Sequence, residues 1–259
     1  MAASLLAVMT KKSADVSVPG GQWLAWGVHL LTASGAALAL LAFDAVFRGE
    51  YREALLWLLA ALALDGVDGT LARMAKVKDR LPRVDGDALD LVIDYLTYVV
   101  IPALIIWRIG VLPEYLALPL TAMIMMSSLY VFARRDMKTD DGYFRGFPAL
   151  WNIVALYVVI APPSRTAATA IVAGLVLLTF APVHVAHPFR VRDYGVWLPA
   201  LAVAWAAATA ALLLPDLGES IAQTLISVSL GSAAIIVGMG LFRTLRGARP
   251  RQAIRPPAV

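Results

Sequence analysis

The stretch DGVDGTLARMAKVKDRLPRVDGDALDLVID, from Asp65 to Asp94, sets a dense group of charges between two long apolar runs. If both flanks are helical, the spacing i, i+3, i+4, i+7 places on one helix face Asp65, Asp68, Gly69 and Ala72. The spacing i, i+4, i+8 places on a second face Gly86, Asp90 and Asp94. The stretch therefore predicts a helical pair that presents four carboxylates.

These four carboxylates favour a metal site. Opposed across a helical pair, they would repel one another unless cations lay between them. The stretch contains no His and no Cys, and a ligand set made only of oxygen atoms favours Mg²⁺ or Mn²⁺ over Zn²⁺. Two such ions can hold a pyrophosphate group. Gly69 and Ala72, with almost no side chain, would let a ligand approach the backbone.

The composition predicts a membrane protein. The 259 residues are 60% hydrophobic and 15% charged, with a mean hydropathy of +0.75, outside the range of soluble domains. We expect one domain over residues 1–259. The chain has no Cys, which excludes disulfides and thiolate ligands. Its net charge of +4 comes from basic residues beside apolar spans, which indicates membrane lipids rather than nucleic acid as the partner.

Hydropathy predicts an all-α fold of about eight transmembrane helices between a cytosolic tail, residues 1–21, and a basic tail, residues 243–259. Core helices 1–6 would lie within residues 22–185, and helices 7 and 8 within residues 195–242. The predicted spans are Trp23 to Phe47, Ala54 to Ala72, Gly86 to Ile109, Tyr115 to Phe132, Phe147 to Ile160, Ala167 to Val185, Gly195 to Leu214 and Ile221 to Phe242. Pro82 disfavours a continuous helix between the second and third spans.

The basic residues predict the orientation. With the N-terminus inside, all but four of the 22 Lys and Arg residues fall on the inner side of the eight spans. The four on the outer side are Arg48, Arg52, Arg108 and Arg165. Because positive charge is retained on the cytosolic side, we expect both termini and the Asp motif to be cytosolic.

The pattern D-x-x-D-G-x-x-A-R followed by G-x-x-x-D-x-x-x-D resembles the signature of the CDP-alcohol phosphatidyltransferases, integral membrane enzymes of phospholipid synthesis. Most members have eight residues between the Arg and the second Gly, whereas this chain has twelve, Met74 to Asp85. That spacing resembles the bacterial phosphatidylcholine synthase branch. The runs Val28 to Gly35, VHLLTASG, and Phe144 to Asn152, FRGFPALWN, are also similar to that branch.

The resemblance implies an enzyme of the bacterial inner membrane that joins CDP-diacylglycerol to choline and releases CMP in a single displacement. It implies two Mn²⁺ or Mg²⁺ ions and a homodimer. The ions would be held by Asp65, Asp68, Asp90 and Asp94, and Asp94 would also act as the general base. CDP-diacylglycerol would be bound by Gly69, Ala72, Arg73 and Gly86.

Choline is a quaternary ammonium ion, which aromatic faces recognise best. The candidates are Tyr98, Tyr95, Tyr143 and Trp151, although for any one of them an interfacial aromatic belt is the favoured explanation. Arg134 and Arg145 could bind lipid phosphate, and positive-inside anchoring is the alternative. His184 and His187 could bind a metal or lie at the interface, and His29 could hydrogen-bond between helices.

Other functions also fit parts of the pattern. The same chemistry could use serine, glycerol 3-phosphate or an inositol compound. A phosphorylated acceptor would favour a cluster of Lys or Arg facing the carboxylates, and choline would favour aromatic residues there. A cation transporter would also carry intramembrane acids, but it predicts acids spread through the depth of the bilayer and broken helices. Carboxylates on a solvated loop would not keep two helical faces.

Overall fold

The structure, a computed structural model, describes residues 19–215 and 217–247. Most of both predicted tails lies outside these residues. The helices are α1 Pro19–Arg48, α2 Tyr51–Met74, α3 Val77–Arg80, α4 Gly86–Asp94, α5 Ile101–Arg108, α6 Glu114–Ala133, α7 Trp151–Ile160, α8 Arg165–Leu178, α9 Trp197–Leu212 and α10 Glu219–Arg246. A π-helical turn, Tyr95–Val100, joins α4 and α5 into one helix, and two short strands are β1 Tyr143–Arg145 and β2 His184–Ala186.

The helices confirm a polytopic all-α membrane protein. Among the described residues, five helices are long and apolar enough to cross a membrane: α1 from Gly21, α2, the continuous α4 to α5 helix, α6 and α10. The predicted fifth, sixth and seventh spans correspond to α7, α8 and α9, which have 10, 14 and 16 residues. These three are shorter than the roughly 20 residues that cross a bilayer perpendicular to its plane.

Two predicted span boundaries were wrong. The fifth helix begins at Trp151 rather than Phe147, because Pro148 disfavours helical geometry in the residue before it. The sixth ends at Leu178 rather than Val185, and residues 184–186 form β2 instead. This strand pairs antiparallel with β1, with Phe144 opposite Val185. We call these two strands the loop sheet.

The core lies among α1, α2, the π-helical turn and α5 to α8. Small residues let α1 and α2 approach closely along their length, which suits helix association inside a bilayer. The buried core residues that these two helices contribute include Ala39, Ala42, Ala45, Ala54, Leu55 and Leu58. The α1–α2 pair and the start of α4 thereby hold the Asp motif at one end of the bundle.

The last two helices pack on each other and join the core through hydroxyl groups. The Trp205 Nε1 group of α9 donates a hydrogen bond of 2.9 Å to the Tyr157 hydroxyl of α7. That hydroxyl lies 2.8 Å from the Ser229 hydroxyl of α10, and the Thr209 hydroxyl lies 3.1 Å from the same Ser229 oxygen. This polar group fixes α9 and α10 to the core.

The loop sheet is attached to the C-terminal half of α10. The Thr244 hydroxyl accepts a hydrogen bond of 2.8 Å from the backbone N–H of His184. Arg243 forms an ion pair of 2.8 Å with Asp141, in the loop that precedes β1. At Gly240 a Cβ atom would clash with the His184 carbonyl oxygen, so only glycine permits this close approach.

Candidate active site

Three carboxylates of the Asp motif converge at one end of the bundle. Asp65 and Asp68 come from α2 and Asp90 comes from α4, and each offers an oxygen atom within 4.8 Å of the others. Among the described residues, this is the one such group of three or more acidic, His or Cys ligands. The oxygen-only donor set and its mutual repulsion fit a hard divalent cation.

Two of these carboxylates are fixed by hydroxyl groups from neighbouring helices. The Thr32 hydroxyl of α1 donates a hydrogen bond of 2.7 Å to Asp68, whose side chain is buried. The Tyr98 hydroxyl donates a hydrogen bond of 2.7 Å to Asp65. Partners of this kind orient carboxylates that hold a metal ion. Thr32 lies in the run Val28 to Gly35, but the sequence interpretation did not predict that it contacts the carboxylates.

The π-helical turn carries Tyr98 and has a local cause. In an α-helix the N–H of residue 102 would pair with the carbonyl of Tyr98, but Pro102 has no N–H group. The Ile101 N–H bonds instead to the carbonyl of Leu96, five residues earlier. The helix is thus widened where the Tyr98 side chain reaches Asp65, and π-helical turns of this kind are frequent at functional sites.

Asp94 lies one turn beyond Asp90 on α4, as the spacing predicts. It is partly buried and coupled electrostatically to Asp65, Asp90 and Asp68. It is not part of the group of three whose oxygen atoms lie within 4.8 Å of one another. Asp94 therefore lies beside the group formed by Asp65, Asp68 and Asp90 but is not a member of it.

The charge of Lys138 interacts with those of Asp94, Asp65 and Asp90, and the sequence interpretation did not single this residue out. The backbone of Lys138 pairs with that of Phe144 of β1 in an isolated antiparallel β-bridge. The Lys138 ammonium nitrogen lies 5.5 Å from the centroid of the Phe144 ring. Although much of the side chain is exposed, partial desolvation of its ammonium group and the positive charge of Arg190 lower its pKa, while Asp94 and Asp65 act in the opposite direction. The loop before β1 thus places a cation where its charge interacts with the carboxylates, and the irregular sequence of this loop gave no periodic signal that predicted the position of Lys138.

The residues predicted to bind CDP-diacylglycerol occupy both sides of the α2–α4 connection. Gly69 is half-buried, and the atom that a Cβ there would meet is Nη1 of Arg73, at 3.6 Å. Arg73 is exposed, and its Nη2 donates a hydrogen bond of 2.9 Å to the Thr70 hydroxyl. Ala72 packs against a small buried cluster. Gly86 lies against the His29 ring, because a Cβ atom added at residue 86 would be 2.9 Å from His29 Cε1.

The structure brings one of the four predicted choline-binding aromatics to the carboxylates, Tyr98. The Tyr95 hydroxyl donates to the Met125 carbonyl, and the Tyr95 ring packs edge-on against Phe132. Tyr143 and Trp151 are both 0% exposed. Their polar groups donate to Asp193 and Ser128 respectively, so these two rings lie in the loop sheet and the core and present no open face.

Both arginines predicted to bind lipid phosphate contact one carboxylate, Asp136. Arg134 binds it through Nε and Nη2, each at 2.9 Å, and Arg145 lies 3.5 Å from it. These two contacts lower the pKa of Asp136. These two arginines and Asp136 together carry a net charge of +1.

The two histidines of the predicted interfacial pair have separate partners. Nδ1 of His184 lies 3.2 Å from the Thr244 hydroxyl, whereas the His187 ring stacks on Phe144 with centroids 5.4 Å apart. Burial, with Arg190 and Lys138 nearby, lowers the pKa of His187 to about 4. His187 is therefore neutral at physiological pH.

Comparison with known proteins agrees with this site. The family model described as CDP-alcohol phosphatidyltransferase matches residues 28–240. A phosphatidylcholine synthase of Pseudomonas aeruginosa is 43% identical over 222 residues, which cover 86% of this chain and 92% of that protein. The phosphatidylcholine synthase of Agrobacterium fabrum is 41% identical over 175 residues, covering 68% of this chain and 73% of that protein.

A third relative, the phosphatidylcholine synthase of Bradyrhizobium diazoefficiens, is 44% identical over 173 residues, 67% of this chain and 65% of that protein. The family match spans the Asp motif, the π-helical turn, the loop sheet and most of α10. The chain belongs to the CDP-alcohol phosphatidyltransferase family.

Proposed function

We propose that this protein is a phosphatidylcholine synthase, which transfers the phosphatidyl group of CDP-diacylglycerol to choline and releases CMP. The observation that carries the proposal is the convergence of Asp65, Asp68 and Asp90 beside Asp94, within the motif of a family of phosphatidyltransferases. The similar proteins named phosphatidylcholine synthase support choline as the acceptor.

Asp65, Asp68 and Asp90 are the proposed metal ligands, and Asp94 is a further candidate. Two Mn²⁺ or Mg²⁺ ions would neutralise the diphosphate of the donor and polarise its phosphorus atom. Thr32 and Tyr98 would hold the Asp68 and Asp65 carboxylates in position for that role. Gly69 and Arg73 lie on the same stretch of α2 and would contact the nucleotide and its phosphates.

Asp94 is the proposed general base. It would accept the proton of the choline hydroxyl, whose oxygen then forms a bond to the phosphorus atom that carries the diacylglycerol. The bond from that phosphorus to the bridging oxygen breaks, and CMP leaves with the electron pair. Asp94 suits this task because its carboxylate lies next to the proposed metal ligands but outside the group formed by Asp65, Asp68 and Asp90.

Lys138 favours a second candidate, an acceptor that carries a phosphate. A cation that faces the carboxylates is the feature we expect for glycerol 3-phosphate or a phosphorylated inositol compound. The donor diphosphate offers the same negative charge, and the similar proteins named phosphatidylcholine synthase favour choline. We therefore assign Lys138 to the donor diphosphate, and we keep Tyr98 as the aromatic candidate for choline.

We also propose a cellular location, a membrane topology and a domain organisation for the protein. The apolar helices support a multi-pass membrane protein, which we place in the bacterial inner membrane, and the distribution of Lys and Arg supports a cytosolic active site and cytosolic termini. A six-helix core with two further helices, α9 and α10, would form one catalytic domain. Abundant Gly and Ala would permit a homodimer.

The deciding experiment measures CMP release from CDP-diacylglycerol by purified protein in detergent with Mn²⁺. Separate reactions would contain choline, serine, glycerol 3-phosphate or inositol, and an Asp90→Asn variant would serve as the inactive control. We expect release with choline alone. Release with glycerol 3-phosphate alone would assign Lys138 to the acceptor, and no release with any alcohol would refute the proposed transfer.

A further inference from the structure

His29 of α1 is a buried polar side chain for which the proposed chemistry has no use. The residue is 6% exposed, and its Nε2 atom has no hydrogen-bond partner among residues 19–215 and 217–247. A buried nitrogen without a partner destabilises a fold, so such groups are rare and call for a functional explanation. Trp26 contacts the ring from one side, with centroids 6.2 Å apart.

The position of His29 links it to the carboxylate cluster. It lies three residues before Thr32, on the face of α1 from which Thr32 reaches Asp68. The Cε1 edge of its ring faces Gly86, the first residue of α4, and a Cβ there would lie 2.9 Å away. His29 therefore lies about one helical turn from the proposed metal ligands, at the end of the bundle where α4 begins.

The ring can present its nitrogen at that edge. A half-turn about the Cβ–Cγ bond exchanges the positions of Cε1 and Nε2, and the two orientations fill almost the same space. Gly86 has no side chain to oppose the turn and is half-buried, so a ligand over the start of α4 can reach the ring edge. The glycine thus provides both the room for the imidazole and the route to it.

The chemistry of the substrates selects the ligand. The ammonium group of choline neither donates nor accepts a hydrogen bond, and its hydroxyl must lie at the reacting phosphorus beside Asp94. The acyl chains of the donor remain in the bilayer. The cytidine of the donor carries ribose hydroxyls and a base with both donors and acceptors, and a neutral imidazole can pair with either kind of group.

We propose that His29 is a binding residue for the nucleotide of CDP-diacylglycerol, with Nε2 hydrogen-bonded to the cytidine over Gly86. The inference rests on the proposed function for the identity of the donor. It assigns Gly86 a new role, because the glycine makes room for a ring of the protein as well as for a ligand. It also gives the buried nitrogen its missing partner.

The test compares His29→Phe, which keeps a ring of similar size but has no nitrogen, with His29→Gln, which keeps a polar group. Binding of CDP in the presence of Mn²⁺ is measured by calorimetry, and the KM values for CDP-diacylglycerol and choline are measured separately. We expect the Phe variant to bind CDP about tenfold more weakly, with an unchanged KM for choline, and the Gln variant to lie between it and wild type. Wild-type CDP affinity in the Phe variant would overturn the proposal.

A second pair of variants guards against a simple loss of folding. Gly86→Ala should lower thermal stability by its clash with His29, and His29→Ala/Gly86→Ala should regain stability while CDP binding stays weak. Recovery of wild-type CDP affinity in the double variant would assign His29 a packing role and overturn the inference. CMP release by the wild-type protein is measured alongside, so a failure of the proposed transfer is recognised separately from a failure at His29.

Discussion

Asp94 can be tested as the general base by replacement with Asn, which keeps the shape of the side chain but does not accept a proton at neutral pH. We expect CMP release to fall at least about 100-fold, the lower range for loss of a general base. Binding of CDP with Mn²⁺ should largely persist, because Asp94 lies outside the group of three converging carboxylates. Retained turnover would remove Asp94 from this role.

The hydroxyl of Tyr98 can be tested as the group that fixes Asp65. Tyr98→Phe removes the 2.7 Å hydrogen bond, and we expect the Mn²⁺ concentration for half-maximal activity to rise about 10- to 100-fold. Tyr95→Phe is the matched control, since that hydroxyl donates to a carbonyl of α6. Equal responses of the two variants would argue against a specific role for the Tyr98 hydroxyl.

The sequence predicted the positions of residues that a helical period links, whereas residue type alone did not predict position. Asp65 and Asp68 lie on one face of α2 and Asp90 lies on one face of α4, as the helical period predicts, and these faces meet. Tyr143 and Trp151 were chosen as aromatic residues near a cytosolic loop, and both are buried. An aromatic side chain serves a core as well as a ligand, so residue type alone could not decide between these roles.

At the level of elements, the attachment of α10 to the loop sheet depends on Gly240. Gly240→Leu would force α10 away from the His184 carbonyl, and overpacking of this kind costs about 1–3 kcal/mol. We expect a lower melting temperature in detergent and reduced CMP release, because the loop sheet holds Phe144 next to Lys138.

Gly238 supplies the control for that substitution. It is exposed on the same helix, and a Cβ there meets nothing within 4 Å, so Gly238→Leu should leave both the melting temperature and the activity near wild type. If both leucine variants behave alike, the close approach at Gly240 does not stabilise the protein.

The long apolar helices could be predicted from the sequence because hydropathy over about 20 residues is a strong signal. The loop sheet could not, since its strands have three residues each and are separated by α7 and α8. The π-helical turn was also missed. Pro102 was its one visible cause, and a proline within a helix more often indicates a kink.

The orientation of the whole molecule can be tested directly because the chain has no cysteine of its own. Arg83, in the connection between α3 and α4, and Glu114, the first residue of α6, are both exposed, and we assign them to opposite sides of the membrane. In spheroplasts, a membrane-impermeant thiol reagent should label a Glu114→Cys variant at once and an Arg83→Cys variant only after lysis. The reverse pattern would invert the proposed topology.

Because the loop sheet is attached to α10, we expect the rate of the reaction to depend on the thickness of the bilayer. The helix is 28 residues long, and in a thinner membrane a long apolar helix tilts to keep its side chains in hydrocarbon. Because Arg243 and Thr244 join its end to the loop sheet, such a tilt would shift Phe144 and Lys138 relative to the carboxylates. Turnover in vesicles should therefore vary with the acyl-chain length of the vesicle lipids. The lipid product would then influence its own rate of synthesis by changing the thickness of the membrane.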